Sequence, residues 1–200
     1  MNRVVIVRHC EPDESMRGRL YGALDVPLSA AGYEQARAIA GALQGIRLDG
    51  VFSSPLRRAL ETAAPLARAR GLEPVVHDGL RELSFGEIEG LSYDEIARER
   101  PELFESWMSD PTGTRFPEGE RFGDLRNRAL EAAAEIRTEH ESAAIVAHGG
   151  ITRAILAAAL GMPDDAIFRL DQPYGAISVV DWIDGSAVVR GINIGFAAAP

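Results

Sequence analysis

Short apolar runs that end in polar or glycine-rich turns alternate along this chain with longer amphipathic stretches. Val4-Val5-Ile6-Val7 is a run of β-favouring residues with no polar position inside it, the pattern of a strand buried on both faces. It leads straight into Arg8, His9 and Cys10. Ala143-Ala144-Ile145-Val146-Ala147 is a second such run and ends in His148-Gly149-Gly150. Val51-Phe52-Ser53-Ser54 and Pro74-Val75-Val76-His77 predict two further strands. Between them the period changes. Ser29 is an N-cap, and Ala36, Ile39, Ala40 and Leu43 fall on one face of a helix over 30–44. Pro55 reads as a first-turn proline opening a helix from Leu56, with Arg57 and Arg58 in its first turn, a kink at Pro65 and an end at Gly71. Leu125, Ala129, Ala132 and Ile136 predict a helix over 125–138, and Ile151 to Leu160 another, closed by Gly161. Ile177–Ile183 and Val188–Ile192, joined through Asp184-Gly185, read as a hairpin.

Strands alternating with helices predict an α/β protein, a three-layer α/β/α sandwich with a mostly parallel central sheet and an antiparallel edge. Two stretches stand outside that rhythm. Glu11 to Gly22 is a polar, Gly- and Arg-containing loop leaving the end of the first strand. From about 84 to 123, Gly, Pro, aromatic and acidic residues show weak periodicity, with one short helix near Tyr93 to Arg98. That stretch is long for a loop and reads as a cap inserted into a single domain spanning 1–200.

Composition narrows the picture. No apolar run approaches the roughly 18 residues of a membrane span, and Met1-Asn2-Arg3 leads into a strand rather than a signal peptide, so a cytoplasmic protein is expected. Cys10 is the one cysteine, which excludes an internal disulfide and a thiolate zinc site. A net charge of -9 without a basic stripe argues against nucleic acid as a partner. Every basic residue is arginine, a compositional bias without functional weight. Oligomeric state leaves no trace in the pattern.

Three strand ends deliver chemistry to one rim, where open α/β sheets bind their ligands: Arg8 and His9, then Arg58, then His148. Gly149-Gly150 follows His148 at a helix start, where free N–H groups and the helix dipole favour an anion. Two arginines, Gly149 and a helix N-terminus together select a phosphate group, hence a small phosphorylated metabolite as the partner. A neutral imidazole beside a bound phosphoryl group is a competent nucleophile. Glu82, in Arg81-Glu82-Leu83 before the cap, is placed to protonate the leaving oxygen and later to activate water. No His-x-His or His-Glu-x-x-His spacing suggests a metal, and this chemistry calls for no cofactor. His77 and His140 lack such settings and read as surface residues.

Arg8-His9-Cys10-Glu11, Ser53-Ser54-Pro55-Leu56-Arg57-Arg58-Ala59-Leu60-Glu61-Thr62, Leu80-Arg81-Glu82 ahead of Phe85-Gly86, and Ala147-His148-Gly149-Gly150 resemble, in that order, the motifs of the histidine phosphatase superfamily, with its phosphoglycerate-mutase-like fold. The resemblance covers nearly the whole chain. It implies His9 as the phosphorylated nucleophile, Arg8 and Arg58 rather than Arg57 as phosphate ligands, Glu82 as general acid and His148 as the second histidine. It also marks Ser15, near where the family often has a phosphate-contacting asparagine, and Tyr21 as possible substrate contacts. Tyr21 to Ser29, Pro117 to Glu120 and Phe168 to Asp171 look most like the α-ribazole phosphatase branch of cobalamin synthesis. The expected activity is phosphomonoester hydrolysis through phosphohistidine, and the branch resemblance implies α-ribazole 5'-phosphate as its substrate. The alternatives are a phosphoglycerate mutase, whose branch carries a longer insertion and tail, and a non-catalytic phosphate-binding protein. The second alternative is prompted by Cys10, which stands where the family has glycine.

Overall fold

The computed structural model describes residues 1–194. Among these, β1 (Asn2–Arg8), β2 (Gly50–Ser53), β3 (Val75–Val76), β4 (Ser142–Ala147), β5 (Ile177–Ile183) and β6 (Ser186–Gly191) form one sheet in the order β3-β2-β4-β1-β5-β6. The first four strands are parallel, and β5 and β6 run antiparallel at one side. This is the mixed sheet expected from the alternation of periods. The helices are α1 (Ala30–Ala42), α2 (Arg57–Arg68), α3 (Tyr93–Glu99), α4 (Pro101–Ser109), α5 (Phe122–Glu139) and α6 (Gly149–Leu160).

The pleat of β1 splits its apolar run between two cores. Val5 and Val7 pack with Ala36 and Ile39 of α1 and Ala59, Ala63 and Leu66 of α2, while Val4 and Ile6 pack with Leu125, Ala129 and Ile136 of α5 and Ile151 and Ile155 of α6. Burial on both faces is why the sequence here shows a continuous apolar run rather than alternation. Parallel pairing puts Arg8 opposite Ala147, and the His9 N–H donates to the Ala147 carbonyl at 2.8 Å. Each strand's next residue is therefore a histidine beside the other strand's histidine.

Several boundaries differ from the sequence-based expectation. α2 starts at Arg57 behind a Leu56 cap, so Pro55 lies before the helix rather than in its first turn, and Pro65 is carried inside the helix. α6 starts at Gly149, two residues earlier than its apolar periodicity, because glycine leaves no hydrophobic mark. β3 is only Val75–Val76, an exposed edge. The segment between the sheet and α5 holds a second helix, α4, which opens on Pro101. With Leu20, Ile88, Ile96 and Phe116, its Trp107 closes a small core separate from the two against the sheet. His77 and His140 are half-buried rather than surface residues, bonded to Glu135 and Asp49 at 3.0 Å each. No helix among the described residues is long and apolar enough to cross a membrane.

Cys10 sits in the core with none of its surface exposed and without a positive φ, so the side chain that replaces glycine causes no backbone strain. Its N–H donates to Thr62 Oγ1 at 3.0 Å, and the Thr62 hydroxyl donates to the Arg58 carbonyl at 2.7 Å. Thr62 thus ties the end of β1 to the first turn of α2. Thr62→Val keeps the shape but leaves a buried N–H without an acceptor, and should cost about 1–3 kcal/mol in urea unfolding with an unchanged m value.

Candidate active site

His9 and His148 follow the carboxyl ends of β1 and β4, with ring centroids 5.2 Å apart, and both are buried. The hydrogen bonds around His9 assign its tautomer. Nδ1 lies 2.7 Å from the Cys10 carbonyl, which can only accept, so Nδ1 carries the proton. Nε2 therefore holds a lone pair, and Arg58 Nε donates to it at 3.3 Å. Burial and the nearby charges of Arg58 and Arg8 press the His9 pKa well below the ordinary histidine range, with the Cys10 bond acting weakly against them. His9 is a neutral imidazole whose unprotonated Nε2 accepts from Arg58.

His148 is also held well below the ordinary range, by burial and by Arg58, His9 and Arg8. Its Nε2 meets Ser54 Oγ at 2.7 Å. That oxygen accepts the Leu56 N–H at 3.2 Å, and the hydroxyl hydrogen has no other acceptor among the described residues, so it points at Nε2. The ring proton then sits on Nδ1, which has no protein partner, and Arg8 Nε is likewise buried without one. Both unpaired donors belong to side chains next to His9, Arg8 in sequence and His148 with its ring 5.2 Å away.

Both arginines are held from behind. Arg58, fully buried, donates to the carbonyls of Leu24 at 2.8 Å and Gly22 at 2.6 Å and lies over the Tyr21 ring, 4.9 Å from its centroid. Burial lowers its pKa and Glu82 works against that. Arg8 donates to the Gln172 carbonyl and lies 4.3 Å from the centroid of Tyr174. The two phenol oxygens meet at 2.7 Å, closing a bracket over His9. Stacking on aromatic faces offsets part of the repulsion between the guanidiniums.

Glu82 accepts the Gly150 N–H at 3.1 Å on one oxygen and the Leu83 N–H at 2.9 Å on the other. A Cβ on Gly150 would lie 2.5 Å from that carboxylate, so glycine is what lets the helix start approach the acid. Arg8, His9, Glu82, Gly149, Gly150, Tyr21 and Arg153 line one cavity of about 310 Å³. Arg153 donates to the carbonyls of Leu170 at 2.9 Å and Gly149 at 3.2 Å.

The fold thus brings Arg8, His9, Arg58, Glu82, His148, Gly149 and Tyr21 together. Ser15 is the exception. It is exposed on a tight turn, its hydroxyl bonded to Asp13 at 2.6 Å, and it does not line this cavity, because the Asp13 carboxylate captures it locally. Ser54, Tyr174 and Arg153 were not read from the sequence as site residues. Ser54 lay inside a quoted motif, and Arg153 sits one helical turn after Gly149. Tyr174, in a loop without periodicity, carried no signal. Among the described residues no group of three or more His, Cys, Asp or Glu side chains could hold a metal ion.

An anion-selective cradle around a neutral imidazole, at the strand ends of an α/β sheet, defines a phosphate-handling enzyme. The chain belongs to the histidine phosphatase superfamily (branch 1), whose family model matches residues 4–195. Phosphoserine phosphatase 1 of Hydrogenobacter thermophilus is 31% identical over 196 residues, covering 97% of this chain and 93% of that protein. A putative α-ribazole-5'-P phosphatase of Escherichia coli superposes with a TM-score of 0.88 at 28% identity, covering 98% of both chains. A mycobacterial glucosyl-3-phosphoglycerate phosphatase does so at 0.87, with 28% identity over 97% of this chain and 99% of that one.

The buried histidines make stability pH-dependent. In the unfolded chain each takes up a proton near pH 6.5, while the folded values lie lower, so the contribution is full above about pH 6.5 and is lost as pH falls below it. Urea unfolding below about pH 6.5 should therefore take up fewer protons in His148→Gln than in the parent protein; equal uptake would contradict the assignment.

Proposed function

We propose that the chain hydrolyses phosphomonoesters of small metabolites without a metal, through a phosphohistidine formed at His9 Nε2. The observation that carries this reading is the pairing of His9 Nδ1 with the Cys10 carbonyl, which leaves Nε2 unprotonated beside Arg58 on a ring that lines the cavity. Arg8, Arg58 and the Gly149 N–H bind the phosphoryl oxygens. His148, through its Nδ1–H, adds a donor where negative charge builds in the transition state.

In the first step His9 Nε2 attacks phosphorus, the bond to the ester oxygen breaks, and Glu82 as the carboxylic acid protonates the departing alkoxide. Glu82, now a carboxylate, takes a proton from a water that attacks the phosphohistidine. The P–N bond breaks, its electron pair returns to Nε2, and inorganic phosphate leaves. Among substrates, α-ribazole 5'-phosphate is supported by the look of the Tyr21 to Ser29 loop and by the likeness to the E. coli protein; the H. thermophilus relative makes phosphoserine the competitor.

His9→Ala should lose p-nitrophenyl phosphate hydrolysis by at least a thousandfold, and the parent enzyme should keep its rate in EDTA. Quenched turnover should trap an acid-labile, base-stable phosphoprotein, and Glu82→Gln should accumulate it when the leaving group needs no proton. Full activity of His9→Ala would sink the reading, and conversion of 3- to 2-phosphoglycerate faster than phosphate release would replace it with a mutase.

A further inference from the structure

We infer that the phosphate site continues into a slot for a planar, uncharged ring on the leaving group, walled by Tyr93, Trp107 and Phe168. The inference rests on the phosphomonoesterase reading for its substrate class, but on separate residues. Tyr93 and Phe168 are 46% and 57% exposed, among the most exposed large apolar side chains of the protein, and both line the cavity that holds His9 and Glu82. They come from separate elements, Tyr93 from the start of α3 and Phe168 from the turn over Asp164–Arg169. Tyr93 is rigidly backed. Its ring stacks on Trp107 at 5.4 Å and 12°, and Trp107 in turn packs edge-on against Phe116 at 5.4 Å. Water-facing rings at the mouth of a reaction cavity gain by covering one another's faces with an apolar plate, and a flat ring does so with the least loss of rotamer freedom.

Charge in the same cavity selects against the competing leaving group. Among the described residues lining it, the cations are Arg8, Arg153 and Arg19, the last paired with Glu95 at 3.1 Å, and the one carboxylate is Glu82. The ammonium of a phosphorylated amino acid would be desolvated beside these arginines, which suit only its carboxylate, and Glu82, the one lining carboxylate, is committed to proton transfer. That costs more than an unpaired neutral group. An uncharged heteroaromatic or aryl group meets no such penalty, and Arg153 lies 5.8 Å from the Phe168 centroid.

The test compares esters that share a leaving oxygen and differ in the ring. Adenosine 5'-monophosphate should show kcat/KM at least tenfold above ribose 5-phosphate and above phosphoserine. In Phe168→Ala and in Tyr93→Ala the ratio between the first two should fall toward one, through KM. Binding gives a second readout that needs no turnover. The chain has two tryptophans, so in a Trp182→Phe, His9→Ala protein the fluorescence comes from Trp107 alone. Adenosine 5'-monophosphate should quench it saturably and ribose 5-phosphate should not. Quenching without any hydrolysis by the parent enzyme would overturn the phosphomonoesterase reading and leave the slot standing. Hydrolysis with equal efficiency on all three esters, a preference for phosphoserine, or an absence of quenching would overturn the slot.

Discussion

The parallel register of β1 and β4 is the constraint on which this site depends. Because Arg8 pairs with Ala147, the residues that follow them, His9 and His148, leave the sheet side by side. Nothing in either loop has to bring the imidazoles together. The pairing is held by two cores at once, since alternate residues of β1 are buried on opposite faces, and a slip by one residue would exchange every side chain between them. A register specified that strongly is a good place for groups that must lie within a few ångströms of each other.

Around that pair, electrostatics and hydrogen bonding act in one direction. Burial first, and then the cations that prepare the cavity for an anion, keep both imidazoles unprotonated, so the charge that would bind a phosphoryl group also helps preserve a lone pair to attack it. Backbone carbonyls at Gly22, Leu24 and Gln172 fix the arginines without neutralising them, whereas a carboxylate partner would have spent their charge in advance. Rings take the place of counter-ions. Tyr21 and Tyr174 each lie against one guanidinium, and their shared hydrogen bond joins two loops that are far apart in the chain.

Much of this was legible beforehand, for identifiable reasons. Val4 to Val7 and Ala143 to Ala147 are buried on both sides, so they stand out as uninterrupted apolar runs, and chemistry placed directly after them is easy to see. Arg58 and Glu82 could be marked because they adjoin a strand end or a change of period. The helix Pro101–Ser109 was missed although Leu103, Phe104 and Trp107 share a face and Pro101 sits in its first turn, since only one of its residues is buried. Tyr174 and Ser54 make hydrogen bonds across 153 and 94 residues of chain, and such bonds leave no period to read. Ser15 failed for the converse reason: a neighbouring carboxylate claims its hydroxyl.

The buried thiol beside the nucleophile carries a practical consequence. Burial pushes Cys10 up to about 12, so at neutral pH it is neither a thiolate nor accessible, and it is the chain's only sulfhydryl. The native protein is therefore silent toward alkylating and disulfide-forming reagents, and mild oxidants have no cysteine within reach of the reaction cavity to convert. Any cysteine engineered onto the surface becomes a unique chemical handle, so a spin label or fluorophore can be placed at the cavity mouth without first stripping the scaffold of its own reactive groups.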